Sequence, residues 1–358
     1  MAVLPVWQRK GLYYAPNDTF GGVSGGDTVP DADVALKVLE NTGKIPTGYN
    51  TKAIGENRTG RGVIFPTIGD RFQGRMGLSS WPLECDLTTT IWRDMIILLL
   101  KSTSNVTLVS TYYKITEPTV AEVTNWGVFY QFLTASAHTF TGYYAESCAP
   151  KSITFTQPMS EPDSEGSVCT LGFDLVGRSR GEMNTFPTFG TTNEDTAAKI
   201  LGHEPLWNVG GTVDTAGDGF TDGTDFNCLE ASLTIDTGLW ASAECNSDDL
   251  TPRLLRGDLS GSGGTIKVFV EAATSAASLL FASKENKTVT SLGCLIGTST
   301  AFQVSIMVMD VSEPEEVDGG QVMTFTYDVV TADTGADVFE FWTLKASGGT
   351  ADSAWPTA

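Results

Sequence analysis

A chain of 358 residues, 41% hydrophobic and 18% charged, has a globular composition and is long enough for one large core or two ordinary ones. Its formal net charge of −21 excludes ordinary nucleic-acid binding, which needs Lys and Arg to displace phosphate counterions, whereas an acidic surface lets DNA pass without sticking. The longest apolar run, Met95–Leu100, is too short to cross a bilayer, and the start of the chain lacks the charged-then-apolar pattern of a signal peptide.

In chain order, residues 1–60 are Gly-, Asn- and Pro-rich and are expected to form an extended N-terminal arm, with 33–40 as a strand or a short helical turn. Residues 61–178 read as a first β-rich unit. Its loose alternation over 71–84 gives way to Ile91, Trp92, Met95, Ile96, Leu98 and Leu99 at helical spacing, behind N-cap candidates Asp86 and Thr88. This predicts a helix over 87–101. Strands are predicted at 106–111, 128–133, 139–144, 152–157 and 168–176. Residues 179–227, rich in Gly, Asp and Thr, read as a linker or insertion loop. Residues 228–345 form a second unit with strands at 229–237, 266–271, 288–295, 302–309, 322–330 and 338–344 and a weaker helix at 273–284. Residues 346–358 read as a C-terminal tail.

Chemistry-bearing residues are sparse. His138 and His203 are the two histidines, and neither sits in a metal or general-base pattern. Gly22–Gly26 fits G-x-S-x-G without the strand and helix a nucleophile elbow needs. Asp214, Asp218, Asp222 and Asp225 fall near calcium-loop spacing, with Ala216 where an oxygen ligand belongs. Arg256-Gly257-Asp258 spells an adhesion tripeptide. The acid pairs Asp248-Asp249 and Glu315-Glu316 read as solvated turns rather than a glycosidase pair. The six cysteines lack disulfide or zinc spacing and read as free, mostly buried thiols. No catalytic or cofactor-binding residue is assigned, and an enzyme is not expected.

One phrase occurs twice. FTQPMSEPDSEGSVCTLGFDLV (155–176) and VMDVSEPEEVDGGQVMTFTYDVV (308–330) share an apolar lead-in, Ser-Glu-Pro (Ser160–Pro162, Ser312–Pro314), an acidic turn and a strand ending in aromatic-Asp-aliphatic-Val. The copies lie roughly 150 residues apart, about one domain. Gly69-Asp70 and Gly257-Asp258 precede the two predicted helices. The first half is longer between these marks and must carry an insertion.

The order of segments GDRFQGRMGLSSWPLECDLTTTIWRDMIILLLK, FTGYYAESCAPKSITFTQP and SVCTLGFDLVGR, then LEASLTIDTGLWASAE, LLRGDLSGSGGTIKVFVEAATSAASLLFASK and FQVSIMVMDVSEPEEVDGGQVMTFTYDVV, resembles the major tail tube proteins of long-tailed bacteriophages, in the larger type with an internal duplication. The resemblance covers residues 60–178 and 228–345. It implies a mainly β fold of two related β-sandwich units, each with a flanking helix. Such chains join into a trimeric, pseudo-hexameric ring with a continuous β-barrel around a lumen, and the rings stack. The implied partners are further copies, the terminator, tape-measure and distal tail proteins, and genome DNA sliding through without specific binding; the implied location is the virion. The lumen is expected to be lined by Asp, Glu, Ser and Thr. Another virion part (capsid decoration, connector or baseplate subunit) and a carbohydrate-binding β-sandwich using exposed tryptophans stay open as alternatives.

Overall fold

The computed structural model describes residues 79–100, 105–110, 112–118, 123, 126–132, 142–159, 167–177, 179–183, 198–214, 219–242, 253–257, 259, 261–270, 274–297, 300–331 and 338–344, together with short strands at 12–17, 34–36, 51–53 and 71–73. The protein is mainly β. The first half contributes β1 (Leu12–Asn17), β2 (Val34–Leu36), β3 (Thr51–Ala53), β4 (Arg71–Gln73), β5 (Ser79–Asp86), α1 (Thr89–Leu100), β6 (Val106–Val109), β7 (Tyr112–Thr116), β8 (Trp126–Phe132), β9 (Gly142–Gln157) and β10 (Thr170–Gly177). The stretch expected to be a linker carries β11 (Ser179–Met183), β12 (Leu206–Val209), β13 (Thr212–Val213), β14 (Phe220–Thr221) and β15 (Thr224–Phe226). The second half has β16 (Glu230–Asp236), β17 (Trp240–Ser242), β18 (Arg253–Leu255), β19 (Gly263–Phe269), α2 (Thr274–Asn286), β20 (Thr290–Ile296), β21 (Thr300–Val311), β22 (Glu315–Val317), β23 (Gly320–Val329) and β24 (Phe339–Leu344).

The strands form a sandwich-like pair of antiparallel layers that share one long strand. The first layer runs β5–β10–β9–β16–β19–β23–β21. The second runs β15–β12–β20–β21–β24–β7–β6. β21 pairs with β24 over Thr300–Val304 and with β23 over Ile306–Val311, and a bulge between Val308 and Asp310 turns it between layers. The N-terminal part of β9 leaves the first layer and pairs with β8 and β11, while β1 adds to β8 and β2 to β1.

One strand order occurs in both halves. β5 leads into α1, and β10 then lies between β5 and β9. β19 leads into α2, and β23 then lies between β19 and β21. Phe173 and Tyr327 take matching places, opposite Ile153 and Val308. In the second half β21 serves both layers without a break. In the first half the same path is split into β7 and the C-terminal part of β9, and residues 117–148 with β8 fill the interval. That is where the extra length of the first half resides.

The halves share one core. In α1 Ile91, Trp92, Asp94 and Met95–Leu100 are all buried, and the six consecutive apolar residues Met95–Leu100 go more than once around the helix, the pattern of an interior helix rather than a flanking one. Thr88 caps it, its Oγ1 accepting from Ile91 N at 3.1 Å. Asn105 Nδ2 closes the other end by donating to Leu100 O at 2.8 Å and to Thr116 O at 2.7 Å. Trp92 packs on Phe155 of the first layer and on Phe302 and Phe341 of the second. Trp207, from the expected linker, is fully buried against Phe155 and Phe302. Its Nε1 donates to Gln157 Oε1 at 2.8 Å, and Gln157 Nε2 donates to Gly202 O.

α2 buries Ala276, Ala277, Leu280 and Ser283 and stacks Phe281 edge-on against Phe325. It ends at Lys287, held at φ +52°, with Thr288 N donating to Ser283 O at 3.0 Å. A left-handed residue after a helix suits glycine, which has no Cβ to strain. Lys287→Gly is expected to stabilise the protein by about 1 kcal/mol, read as a higher denaturant midpoint at unchanged slope. A lower midpoint would show that the lysine side chain contributes more than its backbone strain costs.

Candidate functional site

The outer face of the first layer is an organised polar surface. Alternation sends Ile153 and Phe155, Leu171 and Phe173, Leu233 and Ile235, Ile266 and Val268, and Phe325 and Tyr327 into the core. Their neighbours face outward, and the registers align these in rows. One row reads Glu84, Gly172, Thr154, Thr234, Gly263 and Asp328. The next reads Thr170, Thr156, Ser232, Thr265 and Thr326. A third holds Pro82, Asp174, Ser152 and Asp236, and a fourth Glu230, Lys267 and Thr324.

Hydroxyls tie neighbouring strands together along these rows where the halves meet. Thr154 Oγ1 and Thr234 Oγ1 are 3.0 Å apart, and Ser232 Oγ and Thr265 Oγ1 are 2.9 Å apart. Cross-strand hydroxyl pairs of this kind stabilise a sheet without presenting apolar surface. Glu84, Asp174, Glu230, Asp236 and Asp328 give the face its sign. Lys267, the cation in these rows, is drawn aside to Glu315 at 3.5 Å. The face is short of grip for both phosphate and apolar groups.

Tyr327 supports this face from beneath. Its hydroxyl crosses Gly264 and donates to Ser232 O at 2.9 Å. Burial raises its pKa far above the ordinary tyrosine value, with Cys294 and Cys228 adding to the shift, so it stays a neutral donor. Cys85, Cys148, Cys169 and Cys294 are buried free thiols and Cys228 is partly buried. Burial pushes Cys169 up to about 12, which keeps it protonated and unreactive at neutral pH.

The other candidates do not converge on chemistry. Asp214 follows β13, Asp222 sits at φ +62° in the turn between β14 and β15, and Asp225 Oδ1 accepts from Asn208 Nδ2 at 2.6 Å. Asp218 lies outside the described residues, and among those described no group of three or more His, Cys, Asp or Glu is placed to hold a metal. His203 is exposed in a turn, while His138, Gly22–Gly26, Asp248-Asp249 and Asp258 lie outside the described residues. Arg256 is buried, and desolvation lowers its guanidinium to about 10; an adhesion tripeptide needs that arginine in solvent. Among the described side chains Trp92, Trp207 and Trp342 are buried and Trp240 is half exposed, so three of these four indoles are held in the core rather than offered as a platform for sugar stacking.

The first layer has two free ends among the described strands. β5 pairs on one side with β10, and β21 beyond Ile306 pairs on one side with β23. Fold and face together define a mainly β protein with an acidic, hydroxyl-rich sheet face between two open edges. No helix among the described residues is long and apolar enough to cross a membrane. Compared with known proteins, the chain matches no family model and no curated protein.

Proposed function

We propose that this chain is a structural subunit of a long-tailed phage tail, polymerising into the hollow tube through which genome DNA passes. The observation that carries the reading is the β9–β16 junction. There β16 bridges the repeated three-strand unit of one half (β5–β10–β9) to that of the other (β19–β23–β21), with one continuous acidic and hydroxyl-rich face across the seam. A sheet edge is a pairing template, and a heterologous contact that repeats either closes a ring or continues as a filament. Three such chains joined end to end give a ring with six related units. The polar face then lines the bore, where carboxylates repel the phosphate backbone and hydroxyls wet it.

The test is electron microscopy of the purified protein over a range of concentrations. Tubes or stacked rings with an open axial channel and pseudo-sixfold views are expected. A species that stays monomeric in solution, with no ring or tube at any concentration, overturns the proposal. Isolated knobs that bind a capsid or baseplate would favour another virion role.

A further inference from the structure

Strands of both layers finish around one cleft. The ends of β16 and β23 in the first layer, the end of β7 and the start of β24 in the second, and the chain just past β18 enclose about 560 Å³. That is the size of a small-molecule site. The main chain ties its walls to one another. Gly257 N donates to Thr237 O at 2.8 Å, Val330 N to Ser305 O at 2.9 Å, and Ser305 N to Val338 O at 2.8 Å. Glu117, also in the lining, is held by its carboxylate, which accepts from Val338 N at 3.1 Å and from Phe339 N at 3.3 Å. The cleft is therefore formed before a ligand arrives, which lowers the ordering cost of binding.

A single cation stands among apolar walls. Pro118, Leu259, Val329, Val330 and Val338 supply the apolar surface, and Arg256 is the cation among the described lining residues. Arg256 is only 4% exposed, and burial holds its guanidinium down at about 10, still charged at neutral pH. Folding has already stripped water from this charge, so an anion that meets it does not have to. The guanidinium carries five N–H donors in a planar fork. Arg256 has contacts of its own within the chain, and its Nη1 is a buried nitrogen that makes no hydrogen bond among the described residues. A planar carboxylate matches such a fork with two parallel bonds. Glu117 in the same lining and the net charge of −21 work against a dianion such as phosphate.

We propose that this cleft binds a small amphiphilic monocarboxylate, with its carboxylate on Arg256 and its apolar body along Leu259, Val329, Val330 and Val338. A medium-chain fatty acid has this chemistry. The carboxylate compensates a buried charge, and the tail covers apolar surface that the strand ends leave open to water. The site lies within one chain, so it stands apart from the tube reading and neither depends on the other.

Isothermal titration calorimetry of the full chain with octanoate tests the proposal, with octanol and octylammonium as neutral and cationic probes of the same tail. Octanoate is expected to saturate a single site and to bind roughly ten-fold more tightly than octanol, the margin coming from charge-assisted bonds to Arg256. Octylammonium is expected not to bind, and inorganic phosphate not to compete. This ranking is measured on the unaltered chain. Arg256→Gln is expected to bring octanoate down to the affinity of octanol while octanol binding stays the same. Val330→Trp fills the cleft from a half-buried wall and leaves Arg256 in place. It is expected to abolish binding of both probes with circular dichroism unchanged, and it carries the mutational test if Arg256→Gln does not fold. Octanoate that shows no saturable binding, binds no more tightly than octanol, or still binds folded Val330→Trp overturns the proposal. Displacement of octanoate by phosphate overturns the choice of a monocarboxylate.

Discussion

Trp92→Ala is expected to cost about 3–5 kcal/mol and to destabilise both halves of the chain together, in one cooperative transition. Trp92 is fully buried, with ring centroids 5.8 Å from Phe155, 5.7 Å from Phe302 and 6.0 Å from Phe341. Phe155 belongs to the first half, and Phe302 and Phe341 to the second. Truncation removes an indole with which helix α1 packs on both layers, and the walls of the cavity are held by two sheets that cannot both collapse inward. The Nε1 hydrogen has no partner among the described residues, so Trp92→Phe keeps most of the packing and drops an unpaired donor. That variant is expected to lose far less than the alanine variant. Guanidinium unfolding followed by fluorescence and by far-ultraviolet circular dichroism checks both points. Two separated transitions would show that the halves have independent cores.

Much of this architecture was legible in the sequence, because it depends on periodicity. The spacing of Ile91, Trp92, Met95, Ile96 and Leu99 predicts the first helix to within two residues at either end, and alternation predicts β16, β20, β23 and β24 closely. The predicted strands at 139–144 and 152–157 are one strand, since Cys148-Ala149-Pro150 continues extended between them. What composition hid lies in the stretch expected to be a linker. β12 to β15 are two to four residues long, set among Gly, Asp and Thr, and too short to show a period. Trp207 was the available signal there, a large apolar side chain in a polar stretch. The expectation of separate units with flanking helices also differs from the first helix found. The unbroken apolar run Met95–Leu100 of α1 goes more than once around the helix, a pattern that points to an interior position, and strands of both halves cover it. The shared polar face was beyond reach for another reason: a shift of one residue in any strand exchanges its two faces, and only cross-strand register decides which threonines align.

Gly264→Val is expected to be the most damaging single change in the first layer, costing about 3 kcal/mol or more. Gly264 lies on β19, opposite Leu233 of β16 and Tyr327 of β23. A Cβ there would fall on the Ser232 carbonyl oxygen and come within 2.7 Å of the Tyr327 hydroxyl. The Ser232 oxygen is backbone in the middle of the β16–β19 seam and cannot step aside, and it is the acceptor for Tyr327 Oη at 2.9 Å. The matching residue in the first half is Leu83, opposite Phe173, where no hydroxyl needs to cross. Glycine at 264 is therefore required by one contact, the reach of Tyr327 to the third strand, rather than by the repeated fold itself. The variant should unfold at lower denaturant and lose any assembly that depends on an intact seam. Tyr327→Phe separates the causes: it removes the hydrogen bond without the clash and is expected to cost about 1 kcal/mol. The contrast is Gly319, at φ +80° in the turn between β22 and β23, where an added Cβ meets nothing within 4 Å. Gly319→Asn is expected to be nearly neutral, since asparagine tolerates that conformation and the space is free. Equal losses at Gly264 and Gly319, measured by denaturant midpoint, would refute close approach as the reason for the glycine at 264.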